Sequence, residues 1–302
     1  MNITIFGAGA IGSLFGAKLS YNNKVKLIAR KPHVEQIKKK GLTIEGKTKF
    51  KKKICAEDKI QKLSDKKTDL LILSVKSYDT EEAIKEAKKI IKPNTLVLSL
   101  QNGLNNLEKI SKHIKSEKII LGITTEAAIF SKPGYIIHTA EGITKIGAVN
   151  CKRNDLKKIK KTLMVSGFKT KIRKQIKKEI WKKAIINSSI NPITAFLQCK
   201  NGYLLENPIL ERCIEKICEE SINAAEENDI KINEEKMIKK TKAVIKKTGE
   251  NYSSMAQSIA NNKKTEIDSI NGKIAELSKD IKIDCFMNEI LLYLIKSKSK
   301  YF

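Results

Sequence analysis

The chain opens Asn2-Ile3-Thr4-Ile5-Phe6-Gly7-Ala8-Gly9-Ala10-Ile11-Gly12, and this run decides the fold. Residues 2–6 are a short, β-rich apolar stretch, and residues 11–20 carry the apolar spacing of a helix. Between them lies a G-x-G-x-x-G turn, with Gly7, Gly9 and Gly12 at the fixed positions and Ala8, Ala10 and Ile11 filling the others. Gly7 permits the tight turn, Gly9 lets a phosphate approach the backbone, and Gly12 lets helix and strand pack closely. Amides at the start of the helix add donors and a favourable dipole for an anion. Glycines in this pattern alone are a weak signal; the strand before and the helix after give it weight. The segment is read as the pyrophosphate site of a dinucleotide, and the protein as an NAD(P)-dependent oxidoreductase.

Outward from that turn, the first half alternates strands with helices. Residues 2–6, 24–29, 69–75 and 95–100 read as strands, and residues 11–20, 32–40, 80–91 and 104–113 as helices. This is the βαβ pattern of an N-terminal Rossmann-type doubly wound sheet in an α/β protein. A hairpin over 124–130 and 135–139, turning at Lys132-Pro133-Gly134, and a strand over 143–147 are expected to complete the same sheet. After about residue 150 the pattern is helical, apart from a short strand near 168–172, with clear runs over 179–190, 208–228, 234–247 and 265–277. The expected domains are residues 1–168, binding the dinucleotide, and residues 169–302, all-helical and carrying substrate and catalytic groups.

Composition sets the outer bounds. With 302 residues and 41% hydrophobic content the chain can bury a large core. The net charge of +27 comes from lysines spread over the whole chain; only Arg30, Arg153, Arg173 and Arg212 are arginine. A lysine excess without arginine or aromatic interleaving reads as solvated surface, so no nucleic-acid partner is expected. The six cysteines form no C-x-x-C pair, and no histidine stands at zinc-ligand spacing from them, so no metal site is expected and the thiols read as reduced. No apolar stretch approaches the roughly 20 residues that span a bilayer, and no export signal precedes the first strand. The expectation is a soluble, cytoplasmic protein, a monomer or homodimer, without membrane attachment.

The end of the second strand bears on which dinucleotide binds. A carboxylate there would accept from the ribose 2′-hydroxyl of NADH; this chain has Ala29-Arg30-Lys31-Pro32 instead. Arg30 and Lys31, followed by a proline suited to a helix start, suit the 2′-phosphate of NADPH. In so lysine-rich a chain, an accidental pair of cations is the alternative. Lys76 and Asn102 end the next two predicted strands, at the sheet edge that binds ligands. For Lys76 a solvated strand-end charge, and for Asn102-Gly103 a plain turn, stand as the other readings.

Reduction of a ketone needs an acid for the forming alkoxide. His33, His113 and His138 pair with no carboxylate at short range in sequence, and His138, in an extended segment, reads as structural. In Trp181-Lys182-Lys183-Ala184-Ile185-Ile186-Asn187-Ser188-Ser189-Ile190-Asn191-Pro192, residues Lys183, Asn187 and Asn191 stand at i, i+4 and i+8 and form one polar stripe on a helix. Pro192 should kink or end that helix. The stripe suits a cleft; taken alone, a solvated face in a Lys/Asn-rich chain is the stronger reading. Farther on, Ser253 is a plausible N-cap, Thr265 with Asp268 resembles a capping box, and Glu266 would sit in a first helical turn.

Taken together these segments resemble the ketopantoate reductase family over essentially the whole chain. The resemblance rests on the 7–12 turn, Gln101-Asn102-Gly103, the Lys183/Asn187/Asn191-Pro192 stripe with Asn201-Gly202 beyond it, and Ser254 followed twelve residues later by Glu266. The Pro133-Gly134 hairpin, with His138, Gly142 and Gly147, also looks like the family's last strands. It implies an all-helical second domain like the C-terminal domain of 6-phosphogluconate dehydrogenase. It further implies NADPH-dependent reduction of 2-dehydropantoate to (R)-pantoate, on the way to pantothenate and coenzyme A, or a related reductase of another branched 2-oxo acid. Lys183 would be the general acid, with Glu266 orienting it and touching the cofactor side. Asn187, Asn191, Asn201 and Ser254 would hold the substrate, Asn102 would lie by both cofactor and substrate, and Lys76 and Ala128 would contact the cofactor. One departure is Asp79, an acid near the region expected for the 2′-phosphate.

Overall fold

In the computed structural model, which describes residues 1–63, 65–279 and 284–298, the opening run forms β1 (Asn2–Phe6) inside an eight-stranded sheet. Next come α1 (Ala10–Leu19), β2 (Lys24–Ile28), α2 (Lys31–Lys40), β3 (Leu42–Gly46), β4 (Phe50–Lys52) and β5 (Cys55–Glu57). Then follow β6 (Leu70–Leu73), α3 (Thr80–Ala87), β7 (Leu96–Ser99), α4 (Asn106–Ser111) and β8 (Ile119–Thr124). The large sheet has the order β12-β11-β8-β7-β6-β1-β2-β5, where β11 is Ile143–Gly147 and β12 is Lys169–Ile172, behind β9 (Ala127–Lys132) and β10 (Tyr135–Ala140). From β5 to β8 neighbours are parallel; β11 pairs antiparallel to β8, and β12 parallel to β11. The winding reverses at β1, between β2 and β6, and that switch point is where such sheets bind ligands. Strand β6 is buried along its whole length, as its unbroken run of Leu and Ile requires of a strand covered on both faces.

The hairpin does not continue this sheet. Strands β9 and β10 join β3 and β4 in a separate sheet of order β4-β3-β10-β9, with β10 parallel to β3. Helix α1 packs against β1 and β2 and also against β3, β9 and β10. Coverage on two sides explains why the helix is apolar nearly all round, with Leu14, Phe15, Ala17 and Leu19 fully buried. Phe15 stacks on Phe168 at 4.0 Å between ring centroids, tying α1 to the loop between α5 (Arg153–Val165) and β12.

Two compact units part after Ile176 rather than after residue 168, because residues 169–172 pair with β11 as the edge of the large sheet. The first unit is Met1–Gln101 with Asn106–Ile176; the second is Asn102–Asn105 with the chain from Lys177 onward. Among the described residues the second unit is helical. It comprises α6 (Ile176–Leu197) beyond its first residue, α7 (Tyr203–Glu206), α8 (Pro208–Glu227), α9 (Glu234–Lys247), α10 (Ser254–Ala260), α11 (Asn271–Lys279) and α12 (Phe286–Lys298). Trp181, Ile185, Ile214, Ile217, Ile222, Ile245 and Ile274 share its core. Helix starts follow local capping chemistry: Asn207 Oδ1 accepts from Ile209 N at 2.9 Å, and Asn233 Oδ1 from Lys236 N at 2.9 Å.

Of the kink or end expected at Pro192, the end does not occur: α6 runs on to Leu197. The helix expected from residue 265 starts only at Asn271, behind a 3₁₀ turn over Ile267–Ser269, so Thr265 and Asp268 form no capping box and Glu266 precedes the turn. Among the described residues no helix is long and apolar enough to cross a membrane, and no group of three potential ligands gathers around a metal position.

Candidate active site

At the switch point, Gly7 has φ +97°, and a Cβ on it would lie 2.4 Å from Val75 N. A Cβ on Gly12 would lie 2.5 Å from Gly7 O, so turn, helix and the end of β6 meet backbone to backbone. Gly9 differs: a Cβ there would meet nothing nearer than Gly7 O at 4.0 Å. Gly9 is also the N-cap of α1, and neither a capping side chain nor an acid occupies the first turn. Its first amides, from Ala10, Ile11 and Gly12, are thus capped by no side chain, beside an open backbone surface. That is the geometry an anionic pyrophosphate needs.

Arg30 and Lys31 lie at the carboxyl end of β2, both exposed, as N-cap and first residue of α2. That helix also has neither a capping side chain nor an acid in its first turn. Glu57, at the end of neighbouring β5, is engaged by Lys38 at 2.7 Å. Lys76 follows β6, half-buried, as the N-cap of a 3₁₀ turn over Ser77–Asp79. Ala128 sits on β9, paired with His138 on β10.

The remaining candidates, Asn102, Lys183, Asn187, Asn191, Asn201, Ser254 and Glu266, all belong to the second unit. Lys183 and Asn187 are half-buried on α6, and Asn191 is buried. Thr194, one turn on, donates to Ser253 Oγ at 2.8 Å, and Ser253 accepts from Ala256 N at 3.1 Å. The N-cap of α10 is therefore bonded to the striped helix, with Ser254 exposed at its first position. Asn201 is buried; its backbone N–H donates to Asn251 O at 2.9 Å and its Nδ2 to Thr248 Oγ1 at 2.9 Å. Its Oδ1 is a buried acceptor with no partner among the described residues. Glu266 is 7% exposed, and Asn102 Nδ2 donates to its Oε2 at 3.5 Å. Leu104 N donates to Ser269 O at 3.0 Å, so the Asn102 turn belongs to the Glu266 segment although more than 160 residues separate them.

Two histidines carry more structure than the sequence disclosed. His138 does pair with a carboxylate: its Nε2 lies 2.8 Å from Glu126 Oε2, its Nδ1 lies 2.8 Å from Thr48 Oγ1, and both members of the pair are buried. The pair spans the β9–β10 hairpin, which fixes it through register rather than short sequence distance. His33 is buried in α2; its Nδ1 accepts from Gly134 N at 2.8 Å and its Nε2 meets Ser13 Oγ at 3.1 Å. Burial lowers its pKa to about 4, so the ring is neutral and joins the fingerprint helix to the hairpin turn.

Residues 3–150 match the family model described as ketopantoate reductase PanE/ApbA, and residues 175–299 the model of its C-terminal part. A 2-dehydropantoate 2-reductase of Pyrococcus horikoshii is 41% identical over 302 residues, covering 99% of this chain and 97% of the relative. Among solved structures, D-mandelate dehydrogenase with NADH and anilino(oxo)acetate is similar at a TM-score of 0.94 and 28% identity, covering 99% of this chain and 98% of that one. A PanE/ApbA family ketopantoate reductase from Ralstonia eutropha JMP134 has a TM-score of 0.91 at 26% identity, with the same coverage.

Proposed function

The chain belongs to the ketopantoate reductase family, and on that premise we propose that it reduces 2-dehydropantoate to (R)-pantoate with NADPH, in the synthesis of pantothenate and coenzyme A. The observation that carries this reading is the gathering, in one helical unit, of a half-buried lysine, a buried carboxylate and neutral amides with an unused buried acceptor. The chemistry fits a small hydroxylated 2-oxo acid. When bound, NADPH supplies the hydride for C2 of the substrate. Lys183, as the ammonium, donates its proton to the C2 oxygen and stabilises the negative charge that develops there. Glu266, held by Asn102, orients that ammonium. Asn187, Asn191, Asn201 and Ser254 hold the carboxylate and hydroxyl groups, and the unpaired Asn201 Oδ1 accepts from a substrate hydroxyl. Neutral groups position the acid without binding it so tightly that product stays.

The preference for NADPH rests on Arg30 and Lys31 beside a helix start without a capping side chain or an acid, with Glu57 already engaged. Lys76 and Ala128 complete the cofactor contacts. The lysine-rich surface serves solvation and not nucleic-acid binding, and the enzyme acts in the cytoplasm as a monomer or homodimer. Initial rates with 2-dehydropantoate test the reading. NADPH should support turnover at a much higher kcat/KM than NADH, and equal use of the two would remove Arg30 and Lys31 from their role. A second reading, reduction of another branched 2-oxo acid, is favoured by the similarity to D-mandelate dehydrogenase. A higher kcat/KM for 2-oxoisovalerate than for 2-dehydropantoate would select it.

A further inference from the structure

Pro192 has no N–H, so Ser188 O in the middle of α6 lacks the amide that would meet it in an unbroken helix. A buried carbonyl without a donor is costly, and this one is met from outside the helix. Asn271 Nδ2 lies 3.2 Å from Ser188 O, with both residues fully buried. The other hydrogen of the same amide goes to Asn288 Oδ1 at 3.0 Å. The direction of this chain is fixed at its far end. The Glu220 carboxylate only accepts, taking Met287 N at 2.9 Å, Asn288 N at 3.1 Å and Asn288 Nδ2 at 2.8 Å. Asn288 therefore turns its nitrogen to Glu220 and its oxygen to Asn271, and Asn271 presents its NH₂ group to Ser188.

Asn271 opens α11 five residues after Glu266, and Ser188 follows Lys183 by five residues on α6. The link from Glu266 to Asn271 is short and closed, with Ser269 N donating to Glu266 O at 3.1 Å and Ile270 N to Ile267 O at 3.2 Å. The same turn receives the Asn102 segment, where a Cβ on Gly103 would stand 2.8 Å from Ser269 Cβ. We propose that Asn271 is a positioning residue for the reduction: by bonding to the carbonyl that Pro192 leaves free, it holds the Glu266 turn in one register against the helix that carries Lys183. The proposal rests on the roles given above to Lys183 and Glu266. Proline and asparagine then form one device, in which a missing helix bond becomes a keyed socket for the neighbouring turn.

A purely structural role for Asn271, satisfying a buried carbonyl, makes a different prediction, and Pro192→Ala separates the two. Alanine at 192 supplies the N–H that closes the Ser188 bond within α6. Three variants, Asn271→Ala, Pro192→Ala and the double, are compared by thermal unfolding midpoint and by kcat and KM with 2-dehydropantoate and NADPH. The proposal expects Asn271→Ala to lower both midpoint and kcat. In the double variant the midpoint should recover, while kcat stays about ten- to a hundredfold below that of Pro192→Ala, the scale of a small misplacement of reacting groups, with KM for NADPH little changed. Recovery of kcat together with the midpoint overturns the proposal, and so does an Asn271→Ala enzyme with undiminished kcat. A double variant no more stable than Asn271→Ala also overturns it, since the bond to Ser188 would then not be what Asn271 supplies. Lys183→Ala in the same assay stands apart: turnover that survives it removes the underlying catalytic reading, whatever the other variants do.

Discussion

Replacing His33 with leucine should change how stability responds to acid. The ring is buried in the first unit, beside Phe130 at 4.8 Å between centroids, and its Nδ1 accepts the Gly134 amide. Nε2 therefore carries the proton and donates to Ser13 Oγ, whose hydroxyl donates to Ala8 O at 3.1 Å. A second proton, on Nδ1, would face the Gly134 N–H inside the core, and burial holds the pKa at about 4 against 6.5 for a free side chain. The unfolded chain thus takes up this proton at higher pH than the folded one. The contribution to stability is complete above pH 6.5 and is lost as pH falls to about 4. The loss amounts to about 2 kcal/mol by pH 5 and about 3 kcal/mol by pH 4, as follows from a pKa of about 4 in the folded chain against 6.5 in the unfolded one. Leucine cannot titrate, but it strands the Gly134 N–H, at a cost of about 1–3 kcal/mol. Urea unfolding followed by circular dichroism should therefore find His33→Leu less stable than the wild type at pH 7.5, with the gap narrowing steadily toward pH 4. Parallel stability curves for the two proteins between pH 6.5 and pH 4 would refute the reasoning.

Other substitutions probe the cofactor side. Gly12→Ala forces a Cβ to 2.5 Å from Gly7 O and should abolish cofactor binding along with several kcal/mol of stability, whereas Gly9→Ala should keep the thermal midpoint and weaken only NADPH binding, as read by fluorescence titration. Arg30→Ala with Lys31→Ala should raise KM for NADPH about tenfold or more and leave KM for NADH nearly unchanged; a parallel rise in both would deny the 2′-phosphate contact. The Cys285 thiol, pushed up to about 12 by burial, should resist iodoacetamide at pH 8 until the protein unfolds, so rapid native labelling at that residue would contradict its environment.

The strands and helices around the 7–12 turn were legible because the apolar period switches there from 2 to 3.6 within a few residues, and because β6 is a short unbroken apolar run and β7 is broken only by its last residue, Ser99. The second sheet was not. Its strands β3 and β4 lie in Leu42-Thr43-Ile44-Glu45-Gly46-Lys47-Thr48-Lys49-Phe50-Lys51-Lys52-Lys53, where lysines crowd β4 and the apolar residues Leu42, Ile44 and Phe50 find their partners only through long-range packing, on α1 and beside β10. Without that sheet the partner of His138 was invisible, since Glu126 reaches it across a hairpin. The polar stripe on α6 could be read from spacing alone, yet the bonds that tie its helix to Ser253 and Asn271, through Thr194 and the Ser188 carbonyl, are long-range and have no local signal. Pro192 shows the same limit: the local rule expects a kink or an end, and the donor that meets the carbonyl it leaves free comes from a side chain 79 residues later. Asn102 was legible as a strand-end polar residue; its membership in the helical unit comes from its contact with Glu266 and the bond of Leu104 to Ser269.

The most direct measurement is the decay of NADPH absorbance with 2-dehydropantoate, for the wild type and for Lys183→Ala at matched cofactor saturation. Wild-type enzyme should consume one NADPH per substrate, and Lys183→Ala should turn over about 10²- to 10⁴-fold more slowly while binding NADPH as before. A Lys183→Ala enzyme that reduces 2-dehydropantoate at the wild-type rate would contradict the account.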